Sequence, residues 1–122
     1  MKFSEDYAIG TNVIRSFTET TIDVNNKTYN KSLIISSHLL IDDWVISHID
    51  EMKPEHWHEL LQHKPELIII GTGSSLVFPH PASYAPAIDM GIGVEFMDSQ
   101  AACRTYNVLV SEDRSVLAGI IL

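Results

Sequence analysis

Apolar and polar positions alternate with a period of two through residues 12–37, the spacing of strands with one face buried. Val13, Arg15 and Phe17 share one side of an extended chain, and Ile14 and Ser16 the other. Residues 20–24 repeat the alternation, and Asn25-Asn26 supplies a turn in which a residue reaches positive φ at low cost. Residues 27–29 and 32–37 continue it, the latter around a Leu33-Ile34-Ile35 centre that reads as buried. This part of the chain is predicted to be a meander of short antiparallel strands. Asp42-Asp43 reads as a turn, and Trp44-Val45-Ile46 as one more short strand.

The period then changes. Pro54 suits the first turn of a helix, where its missing N–H costs nothing, and Trp57, Leu60 and Leu61 fall on one side of a helical wheel through residues 55–63. Pro65 stops that helix. Leu67-Ile68-Ile69-Ile70 is apolar without alternation, as in a strand covered on both faces. It runs into the tight loop Gly71-Thr72-Gly73-Ser74-Ser75. Phe78-Pro79-His80-Pro81 is predicted to be extended, because each proline pushes its predecessor out of the helical region. A short helix follows over residues 84–90, with Pro86 in its first turn and Gly91 as its cap. A strand over 92–97, a helix over 99–112 and a strand over 116–121 complete a β-α-β-α-β half. Right-handed crossovers make its first two strands parallel neighbours. With no repeat, linker or low-complexity stretch, residues 1–122 are expected to form one α/β domain.

Charge narrows the range of partners. The 122 residues carry 16 Asp and Glu against 8 Lys and Arg, a formal net charge of -8. Phosphate backbones need clustered cations, and here they are few and scattered, which excludes nucleic acid. An anionic membrane surface is no better a partner. No apolar run approaches the ~20 residues that span a bilayer. The first ten residues show neither a signal-peptide core nor a transit segment rich in Arg and Ser. A lone cysteine, Cys103, cannot form an internal disulfide, which fits a reducing compartment. A cytoplasmic protein with no membrane insertion is expected.

Three places could carry chemistry. On the 99–112 helix, Ala102, Tyr106, Leu109 and Val110 form the inward stripe, with Cys103 at its border and Arg104 and Asn107 turned away from its centre. A helix start and a neighbouring cation both favour thiolate, so Cys103 and Arg104 are candidate catalytic residues. The commoner role of such a cysteine is inert packing, and no His sits locally to act as its base. The loop after the apolar strand presents Gly71, Thr72, Gly73 and Ser74 at the carboxyl edge of a sheet, where open α/β folds bind ligands. Joined to Arg104 and Asn107, it would make an anion-binding pocket. The loop lacks the third glycine of a dinucleotide fingerprint and the Gly-Lys-Ser/Thr of a P-loop, so a tight structural turn explains it equally well. His56, Glu59 and His63 fall along one stripe of their helix at a spacing that suits zinc. A solvated helix face is the more ordinary account, and no cofactor is expected. His80, between two prolines, and His38, near Asp42, decide nothing.

The strand ending in Gly71-Thr72-Gly73, then Phe78-Pro79, Gly91-Ile92-Gly93-Val94-Glu95, Met97-Asp98 and Ala101-Ala102-Cys103-Arg104-Thr105-Tyr106-Asn107 together resemble a known family. It is the family of small Mth-type domains that includes mitochondrial NADH dehydrogenase (complex I) assembly factor three and the adipogenesis-associated Mth-domain protein. The likeness runs from about residue 14 to residue 122 and is most specific over 91–107. It implies a three-layer α/β domain with a mixed central sheet and an extra β-layer from the N-terminal half. It also implies assembly or interaction work rather than an established reaction, and it brings no agreed active site. The mitochondrial relative keeps an alanine–cysteine pair but lacks the arginine matching Arg104, which argues against a shared catalytic pair.

The expected function is therefore a non-enzymatic binding or assembly module with an unidentified protein partner, linked by resemblance to respiratory complex I biogenesis. Its acidic surface suits a basic partner. The alternative is a small-molecule or anion-binding protein, or a thiol-dependent enzyme, using the 71–75 loop with Cys103 and Arg104. An exposed apolar edge in the meander would permit a homodimer.

Overall fold

A computed structural model describes residues 11–122; the reading of the first ten residues lies outside them. Among the described residues, eight strands and three α-helices follow in the order β1 (Ile14–Phe17), β2 (Ile22–Val24), β3 (Lys27–Tyr29), β4 (Leu33–Ile35), β5 (Leu40–Ile41), α1 (Pro54–Leu61), β6 (Leu67–Gly71), α2 (Ala85–Asp89), β7 (Gly93–Met97), α3 (Ser99–Ser111) and β8 (Val116–Ile120). Single turns of 3-10 helix occupy Ile49–Glu51 and Pro81–Tyr84, the latter taking up the start of the helix expected at 84.

The meander forms only in part. β1, β2 and β3 pair antiparallel as a small sheet around the Asn25 turn, where φ is +55°. β4 leaves them. Leu33, Ile34 and Ile35 are all buried, and a strand with two apolar faces needs cover on both. It finds that in a five-stranded sheet of order β5-β4-β8-β6-β7, antiparallel to β8 and β5. β6 runs parallel to both β7 and β8. The central sheet is mixed, with β6 and β7 the parallel neighbours expected.

Alternation along the central strands separates two apolar layers. Leu33, Ile35, Ile69, Val116, Ala118 and Ile120 face α3 and the small sheet. Ile34, Ile68, Ile70 and Leu117 face α1, α2 and the segment around residues 44–52. That segment corrects the sequence reading, because Trp44-Val45-Ile46 is not a strand. Its alternation is real, with Trp44 and Ile46 buried and Val45 73% exposed. The buried pair packs face-on against the sheet instead of pairing with its edge. Trp44 N–H donates to the Ser32 carbonyl at 2.9 Å, and the indole lies where a Cβ on Gly119 would come within 2.7 Å of it.

α3 is fixed at its start. Asp98 caps it by accepting from Ala101 N–H at 2.9 Å. The fully buried Ser99 hydroxyl donates to the Ile121 carbonyl at 2.6 Å and accepts from Gly73 N–H at 2.8 Å. A Cβ on Gly71 would meet the Ser99 Cα at 2.8 Å, so the helix start lies directly on the end of β6. At the other short helix, Gly91 takes φ +72° just past α2, as its cap role requires.

Because Trp44 leaves no room beside Gly119, Gly119→Ala is expected to destabilise the fold by about 1–3 kcal/mol. Urea unfolding should show a lower midpoint with an unchanged slope; an unchanged midpoint would mean that the indole moves aside freely.

Candidate functional site

Cys103 is only 3% exposed, packed on the inner side of α3 among residues of the β1–β2 layer and the central sheet. Burial pushes its thiol from an ordinary value of 9.0 up to about 12; the Arg104 charge works against that shift, and Asp98 adds to it slightly. Proximity to a helix start and to Arg104 does not outweigh desolvation here. Burial thus favours the neutral thiol at physiological pH.

Asn107 is committed to structure. Its Oδ1 accepts from Ile14 N–H at 3.0 Å and its Nδ2 donates to the Ile14 carbonyl at 2.7 Å, clamping β1 onto α3. Next to it in the chain, the buried Tyr106 hydroxyl donates to the Asn12 carbonyl at 2.8 Å.

The 71–75 loop is likewise occupied with its own fold. Thr72 N–H donates to the Met97 carbonyl at 2.8 Å, and Thr72 Oγ1 donates to the Ser75 carbonyl at 2.7 Å while accepting from Val77 N–H. Gly73 N–H is held by Ser99. Ser74 is left exposed at the tip. Arg104, Asn107 and Cys103 line a recess of about 200 Å³, but their neighbours there are Ile14, Arg15, Ser16, Phe17 and Gln100. None of Gly71, Thr72, Gly73 or Ser74 reaches it. The two halves of the expected pocket therefore lie apart.

The helical histidines do not converge either. His56 Nδ1 accepts from Lys53 N–H at 2.9 Å, closing the first turn of α1. Glu59 and His63 border a separate hollow beside Trp44 and Val45. Among the described residues no three His, Cys, Asp or Glu side chains gather as a metal-binding set. His80 caps the Pro81–Tyr84 turn, accepting from Ala82 N–H.

The structure shows two features that the sequence pattern did not single out. One is Arg15, in the recess wall. The other is the outer edge of β7, the last strand of the central sheet, which no strand pairs among the described residues. Aromatic side chains lead outward to it. Trp57, fully buried, meets Tyr84 and Phe96 with ring centres 5.9 and 6.1 Å apart, and Phe96 meets Phe78 at 6.3 Å. Phe78 itself is 71% exposed. Of the eight large apolar side chains exposed among the described residues, five (Leu76, Val77, Phe78, Ile88 and Met90) fall in the short span before this strand. Between Lys64 and Arg104 there is no Lys or Arg at all, whereas Glu66, Asp89, Glu95 and Asp98 are there. The signal was legible: a long stretch without cations around Leu76-Val77-Phe78. By contrast the meander's outer strand β3 is three residues long and carries Lys27, over the Tyr29 ring at 5.3 Å, so it offers no apolar edge.

Fold and site together define a three-layer α/β protein with a mixed sheet, a shielded thiol and an apolar sheet edge at β7. The chain belongs to the family described as proteins of unknown function (DUF498/DUF598), whose model matches residues 14–121. It is 36% identical over 99 residues to the 13 kDa major membrane protein of Francisella tularensis, covering 80% of each chain. It is 28% identical over 110 residues to the NADH dehydrogenase [ubiquinone] 1 alpha subcomplex assembly factor 3 of Danio rerio, spanning 89% of this chain but only 63% of that one. The solution structure of an Mth938-like domain from Bordetella pertussis superposes with a TM-score of 0.78 at 25% identity, over 99% of this chain and 92% of that one. The resemblance carried by Gly91 to Asn107 is borne out. Although the Francisella relative is named a membrane protein, no helix among the described residues here is long and apolar enough to cross a membrane.

The shielded thiol makes a paired expectation. At neutral pH, Cys103 should react with a small alkylating reagent far more slowly in the folded than in the unfolded protein. Its folded value of about 12 lies above the ordinary 9.0, so the unfolded chain releases the proton first. The stability it contributes is full below about 9 and is lost as pH rises towards about 12. Thermal melts should show that alkaline decline in wild type and a weaker one in Cys103→Ala; equal declines would contradict the burial.

Proposed function

We propose that the protein is a non-enzymatic assembly module that docks a basic, apolar segment of a partner protein along the outer edge of β7. The observation that carries this reading is the coincidence of an unpaired strand edge, the exposed apolar side chains before it and the absence of cations between Lys64 and Arg104. An open edge offers main-chain hydrogen bonds to an added strand, with pockets between side chains setting specificity. Phe78 stands on Phe96 as an exposed aromatic anchor backed by the half-buried Phe96 and Tyr84 rings, a make-up common in energetically dominant contacts. Glu95 and Asp89 select for Lys or Arg in the incoming segment. A second copy is the poorer occupant: antiparallel self-pairing centred on β7 sets Glu95 against Glu95, and like charges directly opposite destabilise a ladder.

The name of the zebrafish relative, an assembly factor for NADH dehydrogenase, supports assembly as the kind of work done and respiratory-complex biogenesis as its setting. A cytoplasmic location fits the single free cysteine. The alternative of thiol catalysis gains no support from a buried thiol raised to about 12.

Affinity purification of the tagged protein from its own cells, quantified by mass spectrometry, tests the reading. Phe78→Asp should lose a specific partner that Cys103→Ser retains, both variants melting close to wild type. Retention by Phe78→Asp, or loss with Cys103→Ser alone, would contradict it.

A further inference from the structure

We propose that the recess between β1 and α3 binds a small dianion, a phosphate or a dicarboxylate, held between Arg15 and Arg104. The site is independent of the β7 edge. It begins with a defect in the ladder: Ile14 pairs with Val24, but the next pair is Ser16 with Asp23, so two residues on β1 oppose one on β2. This β-bulge breaks the expected alternation and leaves both Arg15 and Ser16 exposed. Bulges re-aim side chains in this way, often next to functional sites. Arg15 thereby enters the wall of the recess that Arg104 and Gln100 approach from α3, over a floor that includes Phe17 and Cys103.

The charge there is out of character for the chain. With 16 acidic residues against 8 Lys and Arg, two arginines on one recess are a local concentration of scarce positive charge; among the described residues only Arg114 and Lys31 form ion pairs, with Glu66 and Asp43. Neither Arg15 nor Arg104 has an ion-pair partner among the described residues, and both line one recess. Of the acids on β2 and at the start of α3, Asp23 accepts from Ser16 and Thr28 and Asp98 caps α3; neither forms an ion pair with Arg15 or Arg104. Two arginines lining one recess favour an entering anion, because a guanidinium is a planar fork matched to carboxylate or phosphate oxygens. Gln100 adds an amide donor. A volume of about 200 Å³ is below the roughly 300–1,000 Å³ of ordinary ligand pockets, so the ligand is a compact ion or a single phosphate or carboxylate head, and a nucleotide is too large.

Titration at low ionic strength with inorganic phosphate and, separately, malonate, followed by amide chemical shifts, tests the proposal. Saturable shifts should centre on Arg15, Gln100 and Arg104, and whichever ion binds more tightly assigns the ligand class. Arg15→Ala or Arg104→Ala should each weaken binding about tenfold or more, as loss of a charged hydrogen bond does. Arg114→Ala, which removes an equal charge elsewhere, should leave it unchanged. Both recess arginines are exposed, so the variants should melt as wild type; should one not, Arg15→Gln and Arg104→Gln replace them. No saturable binding of either ion, equal weakening by Arg114→Ala, or binding indifferent to both recess variants would overturn the proposal.

Discussion

The Ser99 hydroxyl ties α3 to the ends of two central strands at once, donating to Ile121 beyond β8 and accepting from Gly73 beyond β6. It is wholly buried, so losing its bond to Ile121 would leave a buried group unsatisfied at a cost of about 1–3 kcal/mol. With its start fixed there, α3 becomes the beam that carries the N-terminal layer. Asn107 and Tyr106 hold the backbone of Ile14 and Asn12 from its middle turns. The small sheet therefore packs on the domain through a helix more than through strand pairing.

That beam also determines what the chemically interesting side chains can do. The same turn that seats Ala102 on β6 turns Cys103 into apolar packing, and desolvation then overwhelms the field of Arg104. Arg104, one residue further round, emerges beside β1, where the bulge has turned Arg15 to meet it. On the far side of the central sheet, α1 and α2 cover the strands as far as Phe96 and stop, leaving β7 with an open edge and Phe78 in solvent. A basic recess and an acidic, apolar edge thus sit on different elements of one fold, and neither needs the cysteine.

Much of this was legible in the residues. The uninterrupted Leu67–Ile70 run, the Pro54 and Gly91 helix boundaries and the Gly91 to Asn107 motif led to the mixed α/β fold and to the family. The departures have physical causes. Leu33-Ile34-Ile35 alternates with its flanks like a meander strand, yet its two apolar faces drew it into the central sheet. Trp44 and Ile46 alternate like a strand but bury by lying on Gly119 and the sheet face. The loop at 71–75 looked like a row of free donors because a sequence does not reveal that Ser99 and Met97 will occupy them. Arg15 went unnoticed because a bulge is a matter of register, and register arises between strands.

Docking along the β7 edge would leave a direct mark on backbone exchange. Hydrogen–deuterium exchange on the protein alone and in its isolated complex tests it most directly. Protection should be gained over residues 93–97 and around Phe78, with α3 unchanged. Protection gained over β1 and α3 instead, with β7 exchanging as in the free protein, would contradict it.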